Sequence, residues 1–340
     1  MDLHSLRAAA RIVVGGLLFV FLYTVVYVAA FHAPRAKGID VGVVGTPAQA
    51  AQVQGALDAT SRGAFDVRRY GTEARARAAL LDTDVHGVAV LGGANDRILV
   101  ASALGVAPTQ SVIGALRGVV RARPAIDDVR PLPSGDRRGL ASLFTVLGTV
   151  MPSLAFGVLL ALTGRGLPRR ARHGAVLAFA VLGGIVVAFD VDVVTGALDG
   201  DFAGIAVVAG LLALAVAATA HGLARAGGRA GIAVAAVTLL LFGISSTGGA
   251  VTYEYEPGFY GAISQLLPPG AALTAVRNVR YFGWADTLAP LLVLGSWGAG
   301  GLALGLAAER LGRLAVSPVR PGGDAAIVGP VVARARTEAS

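Results

Sequence analysis

Cysteine is absent from the 340 residues, and lysine occurs once, at Lys37, among 29 basic residues. The first absence excludes disulfides, thiolate catalysis and cysteine-based metal sites. The second excludes a P-loop, in which the lysine of Gly-Lys-Ser/Thr reaches the phosphates that backbone N–H groups cradle; Lys37 is followed by Gly38, and no other lysine is available. No Gly-x-Ser-x-Gly elbow and no His-Glu-x-x-His helix occurs. The histidines His4, His32, His86, His173 and His221 are far apart in the chain and read as solvated or interfacial residues, not as a metal site. No catalytic residue, cofactor or metal is expected. Charge is scarce as well: 15% of residues are charged and 55% hydrophobic, against ~25% and ~45–50% in a soluble domain.

What is present is a series of apolar runs, near Ile12–Phe31, Leu140–Leu162, Ala175–Val194, Phe202–His221, Gly231–Val251 and Leu288–Ala308. Each is close to the roughly 20 residues that cross a ~30 Å hydrocarbon core as a helix. Arginines cluster at alternate junctions: Arg7 and Arg11; Arg165, Arg169, Arg170 and Arg172; Arg225 and Arg229; Arg310 and Arg313. The junction between them, Asp190 to Asp201, carries Asp190, Asp192, Asp199 and Asp201 and no base. Cytoplasmic loops hold the Arg/Lys excess, so the expected fold is a six-span α-helical polytopic membrane protein with both termini inside. This placement accounts for the net charge of +8 without nucleic acid as a partner; the bilayer is the expected surrounding. The first run, with Tyr23 and Tyr27 near its outer end, exceeds the ~7–15 residues of a signal peptide core and reads as an uncleaved anchor. Residues 1–11 read either as a surface segment or as the frayed start of that helix.

Residues 34–138 would then form a small extracytoplasmic α/β domain between the first and second spans, large enough to fold alone. Its strands are expected at Ile39–Gly45, Phe65–Gly71, His86–Gly93 and Arg97–Ala103, the last two joined by a hairpin at Gly93-Ala94-Asn95-Asp96. Helical spacing runs through Ala51, Ala56, Leu57 and Ala59; a second helix follows the cap Thr72, with Arg75 and Arg77 wet and Ala78, Leu80 and Leu81 dry; a third spans about Pro108–Val120. Pro124, Pro131, Pro133 and Gly135 read as a stiff linker. Residues 139–310 form the five-helix remainder of the bundle, and 311–340 a disordered tail.

Between the fifth and sixth runs, Thr252–Asp286 reads as an outer helical hairpin, two short helices broken at Pro268-Pro269. Its aromatic residues Tyr253, Tyr255, Phe259, Tyr260, Tyr281, Phe282 and Trp284 suit a membrane interface, so the hairpin is expected to dip into or lie on the outer leaflet. Glu254 and Glu256 either sit at headgroup level or pair with Arg277 or Arg280. Asp190 and Asp192 likewise read as headgroup-level residues or as a cation or proton site. The bundle carries small residues at Gly148, Gly157, Gly183, Gly184, Ser296, Gly301 and Gly305, suited to close helix packing or dimerisation. Hydroxyls at Thr145, Thr149, Ser153, Thr238, Ser245 and Ser246 are the polar groups of a mostly apolar lining, and Pro152 and Pro290 are candidate kinks.

One span, an external α/β domain and five further spans resemble the permeases of type 2 ABC exporters, in particular the phage-infection-protein-like permeases of actinobacteria. The segments VAAFHAPRAKGIDVGVVG (Val28–Gly45), YGTEARARAALLDTDVHGVAVL (Tyr70–Leu91) and LLPPGAALTAVRNVRYFG (Leu266–Gly283) carry the resemblance. It implies a transport permease of a bacterial cytoplasmic membrane, working as a homodimer or heterodimer with a separate ATP-binding subunit. It also implies that the loop bearing Arg165, Arg169, Arg170 and Arg172 meets that subunit, and that the hairpin with Glu254, Glu256, Pro268, Pro269, Arg277 and Arg280 caps the path. An amphipathic or lipid-like substrate fits the apolar lining. A non-transporting envelope receptor or assembly protein acting through the external domain, and an ion-coupled exporter resting on Asp190 and Asp192, are the alternatives.

Overall fold

A computed structural model describes residues 3–31, 36–92, 96–120, 124–249 and 252–315. The tail beyond residue 315 and the Gly93-Ala94-Asn95 turn lie outside the described residues. The chain is mostly helical, and the described residues include five helical stretches long and apolar enough to cross a membrane: Val13–Ala30, Ala141–Gly166, Arg169–Val194, Phe202–Ser245 and Leu288–Arg310.

The first helix, α1 (Leu3–Phe31), stands largely clear of the rest, with Val14, Leu17 and Phe21 each about 60% exposed. An α/β unit follows: β1 (Ile39–Val44), α2 (Pro47–Thr60), β2 (Phe65–Tyr70), α3 (Glu73–Leu81), β3 (Gly87–Val90), β4 (Arg97–Val100), α4 (Val106–Arg117) and β5 (Ala125–Asp128). Local chemistry sets its boundaries. Thr46 and Gln49 form a reciprocal capping box at the start of α2, with Pro47 in the first turn. Thr72 accepts from Arg75 N and starts α3. The strands form one sheet in the order β2-β1-β3-β4-β5, parallel except for the β3–β4 pair, Gly87 opposite Val100.

Three sequence expectations change here. The inward residues of α2 are Ala50, Val53 and Leu57, while Ala51 and Ala59 are exposed. In α3, Ala76 and Ala79 join Leu80 inside and Ala78 faces out. The expected linker contains β5, which pairs with β4 in parallel from Ala125 to Asp128. It is a short, half-exposed edge strand, so its sequence Ala-Ile-Asp-Asp carries no apolar alternation to announce it.

The bundle consists of α5 (Ala141–Thr163), α6 (Arg169–Ala188), α7 (Phe202–Ala236), the short α8 (Gly243–Ser245) reached through a π-helical turn, and α11 (Leu288–Ala315). Between α8 and α11 lie α9 (Gly258–Ser264) and α10 (Pro268–Tyr281). The fourth and fifth apolar runs share one helical stretch, Phe202–Ser245, that breaks at Gly228, where φ is +54° and ψ −127°. The chain reverses there: a Cβ on Gly231 would fall 1.8 Å from Leu223 O, whereas a straight helix holds residues eight apart about 12 Å away.

The first limb of α7 is the centre of the bundle, touching α5, α6 and α11 at backbone distance. A Cβ on Gly157 would fall 2.4 Å from Ala217 O, one on Gly184 2.4 Å from Ala206 O, and one on Gly301 2.4 Å from Thr219 N. These small residues are therefore packed within one chain, whereas a Cβ on Gly148 or Gly183 would meet no other described residue within 4 Å. Pro290 lies in the first turn of α11, where it removes no intrahelical hydrogen bond and forms no kink.

The α/β unit shares a core with the bundle. One apolar cluster runs from Leu80, Val88 and Leu99 through Ala103 to Leu273, Val276 and Leu212. A second, formed by Ile39, Val41, Val43, Val53, Leu57, Ile113 and Leu116, fills the space under α2 and α4.

Candidate functional site

Two polar features lie at opposite ends of α5. At its start, buried Asp136 accepts from Leu140 N (2.9 Å) and Ala141 N (3.0 Å), capping the helix beneath the α/β unit. Its last residue leads into the arginine loop. Twenty-three residues separate the ends, about 35 Å of helix.

At the arginine end, the four loop arginines are not equivalent. Arg165, Arg169 and Arg170 are exposed. Arg172 is 6% exposed, and its Nε and Nη2 both donate to Glu309 Oε1, at 3.0 and 2.6 Å. Its Nη1 donates to Gly164 O (3.3 Å) and to Leu167 O. One side chain thus ties the α5–α6 turn to the end of α11, and Arg172 is removed from any docking surface. Glu309 is the residue sequence reasoning missed; its signal was a lone carboxylate at the end of an apolar run where only bases are expected.

The histidines require a second correction. His173 and His221 meet edge-on, ring centroids 6.4 Å apart, and His221 is 2% exposed. His173 Nδ1 lies 2.9 Å from Arg169 O. His173 Nε2 and both ring nitrogens of His221 are buried without a hydrogen-bond partner among the described residues. The cause is helix register. Gly184 touches Gly210, and each histidine lies 11 residues from that contact, so antiparallel helices bring them level. The described residues contain no group of three or more His, Cys, Asp or Glu able to hold a metal ion.

Beside this cluster, where α5, α6, α7 and α11 meet, is a cavity of about 770 Å³ lined by Arg165, Arg169, Arg172, Arg225, Arg229 and Glu309. Arg165, Arg169, Arg225 and Arg229 form no ion pair with a described residue.

At the other end, the hairpin is two short helices, as its prolines imply. Pro268 and Pro269 occupy the first turn of α10, where a missing N–H costs no bond. Of the aromatic residues expected at an interface, Tyr255, Tyr281 and Phe282 are instead packed inside the chain, each 5% exposed, and α10 is buried along most of its length. Only Phe259 and Trp284, at 60% and 43%, present large aromatic surfaces outward. Burial pushes the Tyr281 phenol up to about 12, helped by Asp136 and opposed by Arg280 and Arg277.

The acidic residues act as ties. Arg280 pairs with Asp199 at 2.8 Å, not with a glutamate of the hairpin. Asp201 caps α7 through Gly204 N and accepts from Trp284 Nε1 (3.0 Å). Asp192 accepts from Gly200 N (2.7 Å), while Asp190 is exposed. Glu256 is buried and accepts from Gly248 N (3.0 Å); Arg277 donates to Gly249 O (3.1 Å). The Glu254 side chain lies outside the described residues. Between hairpin and α/β unit is a polar chamber of about 550 Å³, lined by Asp40, Asp84, His86, Arg277, Asn278 and Asp286 among others. The hydroxyls of Thr145, Thr149, Ser153 and Ser245 donate to carbonyls one turn back in their own helices, so they are satisfied without substrate.

Comparison with protein-family models, curated proteins and solved structures gives no match.

Proposed function

We propose that the chain is the membrane subunit of an exporter, a six-span permease of the type 2 ABC class that moves an amphipathic or lipid-like substrate across a bacterial cytoplasmic membrane. The spans are α1, α5, α6, the two limbs of the 202–245 stretch on either side of Gly228, and α11. The arginine clusters then lie in the cytoplasm and the α/β unit outside.

The observation that carries this reading is the position of the broken hairpin. Buried backbone that is not helical, at Thr247–Gly249 and Thr252, meets the buried helix α10 beyond the end of α8, where Arg277 donates to Gly249 O beside a chamber that Thr247 and Thr252 help to line. In a bilayer such backbone is tolerated only where protein or a water-lined cavity surrounds it. Because no P-loop is present, ATP would be hydrolysed by a separate subunit meeting Arg165, Arg169 and Arg170, with a second permease copy completing the path.

The test is co-expression with the product of an adjoining ATPase gene, followed by reconstitution. The ATPase should co-purify, its turnover should depend on the permease, and Arg165→Glu/Arg169→Glu should uncouple them. ATP hydrolysis by the purified chain alone would sink the division of labour. The shared core of Leu80, Val88, Leu273 and Val276 favours a permease over an anchored receptor, because it makes the α/β unit part of the bundle's outer closure. A receptor would keep its ligand binding after removal of residues 139–315; a permease of this build would not fold without them.

A further inference from the structure

The arginine-lined cavity has an unfilled requirement of its own. Among the described residues, five guanidinium groups surround it, and the one carboxylate there, Glu309, already receives two hydrogen bonds from Arg172. Arg225 Nε is buried there without a hydrogen-bond partner among the described residues, although buried polar groups are nearly always satisfied. The N-terminus of α6 opens beside the cavity with Pro168 in the capping position, which supplies no side-chain acceptor; free N–H groups and the helix dipole at such an end favour an anion. The remaining wall is apolar, with Leu162 half exposed and Ile232 beside it.

We propose that this cavity binds the phosphate group of an anionic phospholipid of the leaflet it faces. Planar guanidinium forks match phosphate oxygens in two-bond geometry, and basic pockets between transmembrane helices are suited to anionic lipid headgroups. Leu162 and Ile232 give the first acyl carbons a surface that free phosphate would not use. The lipid completes the basic cluster: its phosphate supplies acceptors to Arg225 and Arg229 and offsets repulsion among charges that Glu309 does not balance. Only the assignment to the inner leaflet rests on the proposed topology. Binding needs neither transport nor the ATPase subunit.

The experiment uses the full chain in nanodiscs of phosphatidylcholine, titrated with phosphatidylglycerol and read by native mass spectrometry of the released complexes. Saturable binding of one phosphatidylglycerol per chain is expected, weakened about tenfold by Arg229→Gln and further by Arg225→Gln, the loss that charge-assisted hydrogen bonds imply. Arg165→Gln, at an exposed position outside the Arg172–Glu309 tie, should weaken it similarly and guards against misfolding of the Arg225 variant. Arg170→Gln, which removes the same charge from the same surface but does not line the cavity, should leave binding unchanged. Equal weakening by Arg170→Gln would reduce the effect to surface electrostatics and overturn the proposal. Inorganic phosphate displacing the lipid at equal concentration would overturn the lipid assignment. So would the absence of phosphatidylglycerol binding when Arg225→Gln/Arg229→Gln still abolishes ATPase stimulation, since the arginines would then serve a protein partner.

Discussion

At the residue scale, Arg172 and Glu309 decide whether the arginine end holds its shape. Both are more than 90% buried, and breaking such a pair by removing one partner typically costs about 3–5 kcal/mol. Arg172→Ala and Glu309→Gln should each lower the thermal unfolding midpoint of the purified chain strongly. Arg172→Leu/Glu309→Leu should recover much of the loss, because apolar replacement of a buried pair is often neutral. A double variant as unstable as the singles would show that the hydrogen bonds to Gly164 O and Leu167 O matter more than the charge. Tyr281 provides a pH test at the other end. Its folded value near 12 lies above the unfolded value of 10, so the unfolded state releases its proton first as pH rises. Stability from this group is full below pH 10 and is lost between 10 and 12. Tyr281→Phe should therefore flatten the decline in unfolding midpoint over that window, and an unchanged slope would assign the decline elsewhere.

At the element scale, close helix approach depends on glycines that the sequence marked without saying where each points. Gly184→Leu or Gly301→Leu would drive a side chain into backbone about 2.4 Å away, which only helix separation relieves. Both should abolish accumulation of folded protein, measured as the monodisperse fraction after detergent extraction. Gly148→Leu and Gly183→Leu, with nothing within 4 Å, should behave as wild type in a monomer, and a selective loss of dimer would locate the second copy on that face. Strands β1 to β4, the cap at Thr72 and the proline break before α10 were legible, because each follows from a few neighbouring residues, whereas the capping box of Thr46 and Gln49 was not read from the sequence. Strand β5 and the inward faces of α2 and α3 were not. In Ala-rich helices, contrast between faces is too weak to fix rotation, and the choice among Ala50, Ala51, Ala76 and Ala78 is made by the sheet they cover.

At the scale of the whole molecule, what escaped the sequence was everything dependent on helix register. The meeting of His173 with His221, the tie between Arg172 and Glu309, and the gathering of Arg165, Arg169, Arg225 and Arg229 around one cavity join residues from different helices. They follow from where Gly184 meets Gly210 and Gly301 meets Thr219, which no local pattern encodes. The apolar runs themselves were plain, and the alternation of arginine clusters with the aspartate-rich turn gives them a direction.

In the proposed topology that direction puts the α/β unit and the arginine cavity on opposite sides of the membrane. The chain's lack of cysteine makes it directly measurable. Ser61→Cys, on the exposed end of α2, and Gly166→Cys, in the α5–α6 turn where a side chain meets nothing within 4 Å, can each be probed in intact cells with a membrane-impermeant maleimide. Labelling of Ser61→Cys is expected in intact cells, and of Gly166→Cys only after the membrane is opened. Labelling of both, or of Gly166→Cys alone, in intact cells would contradict that topology.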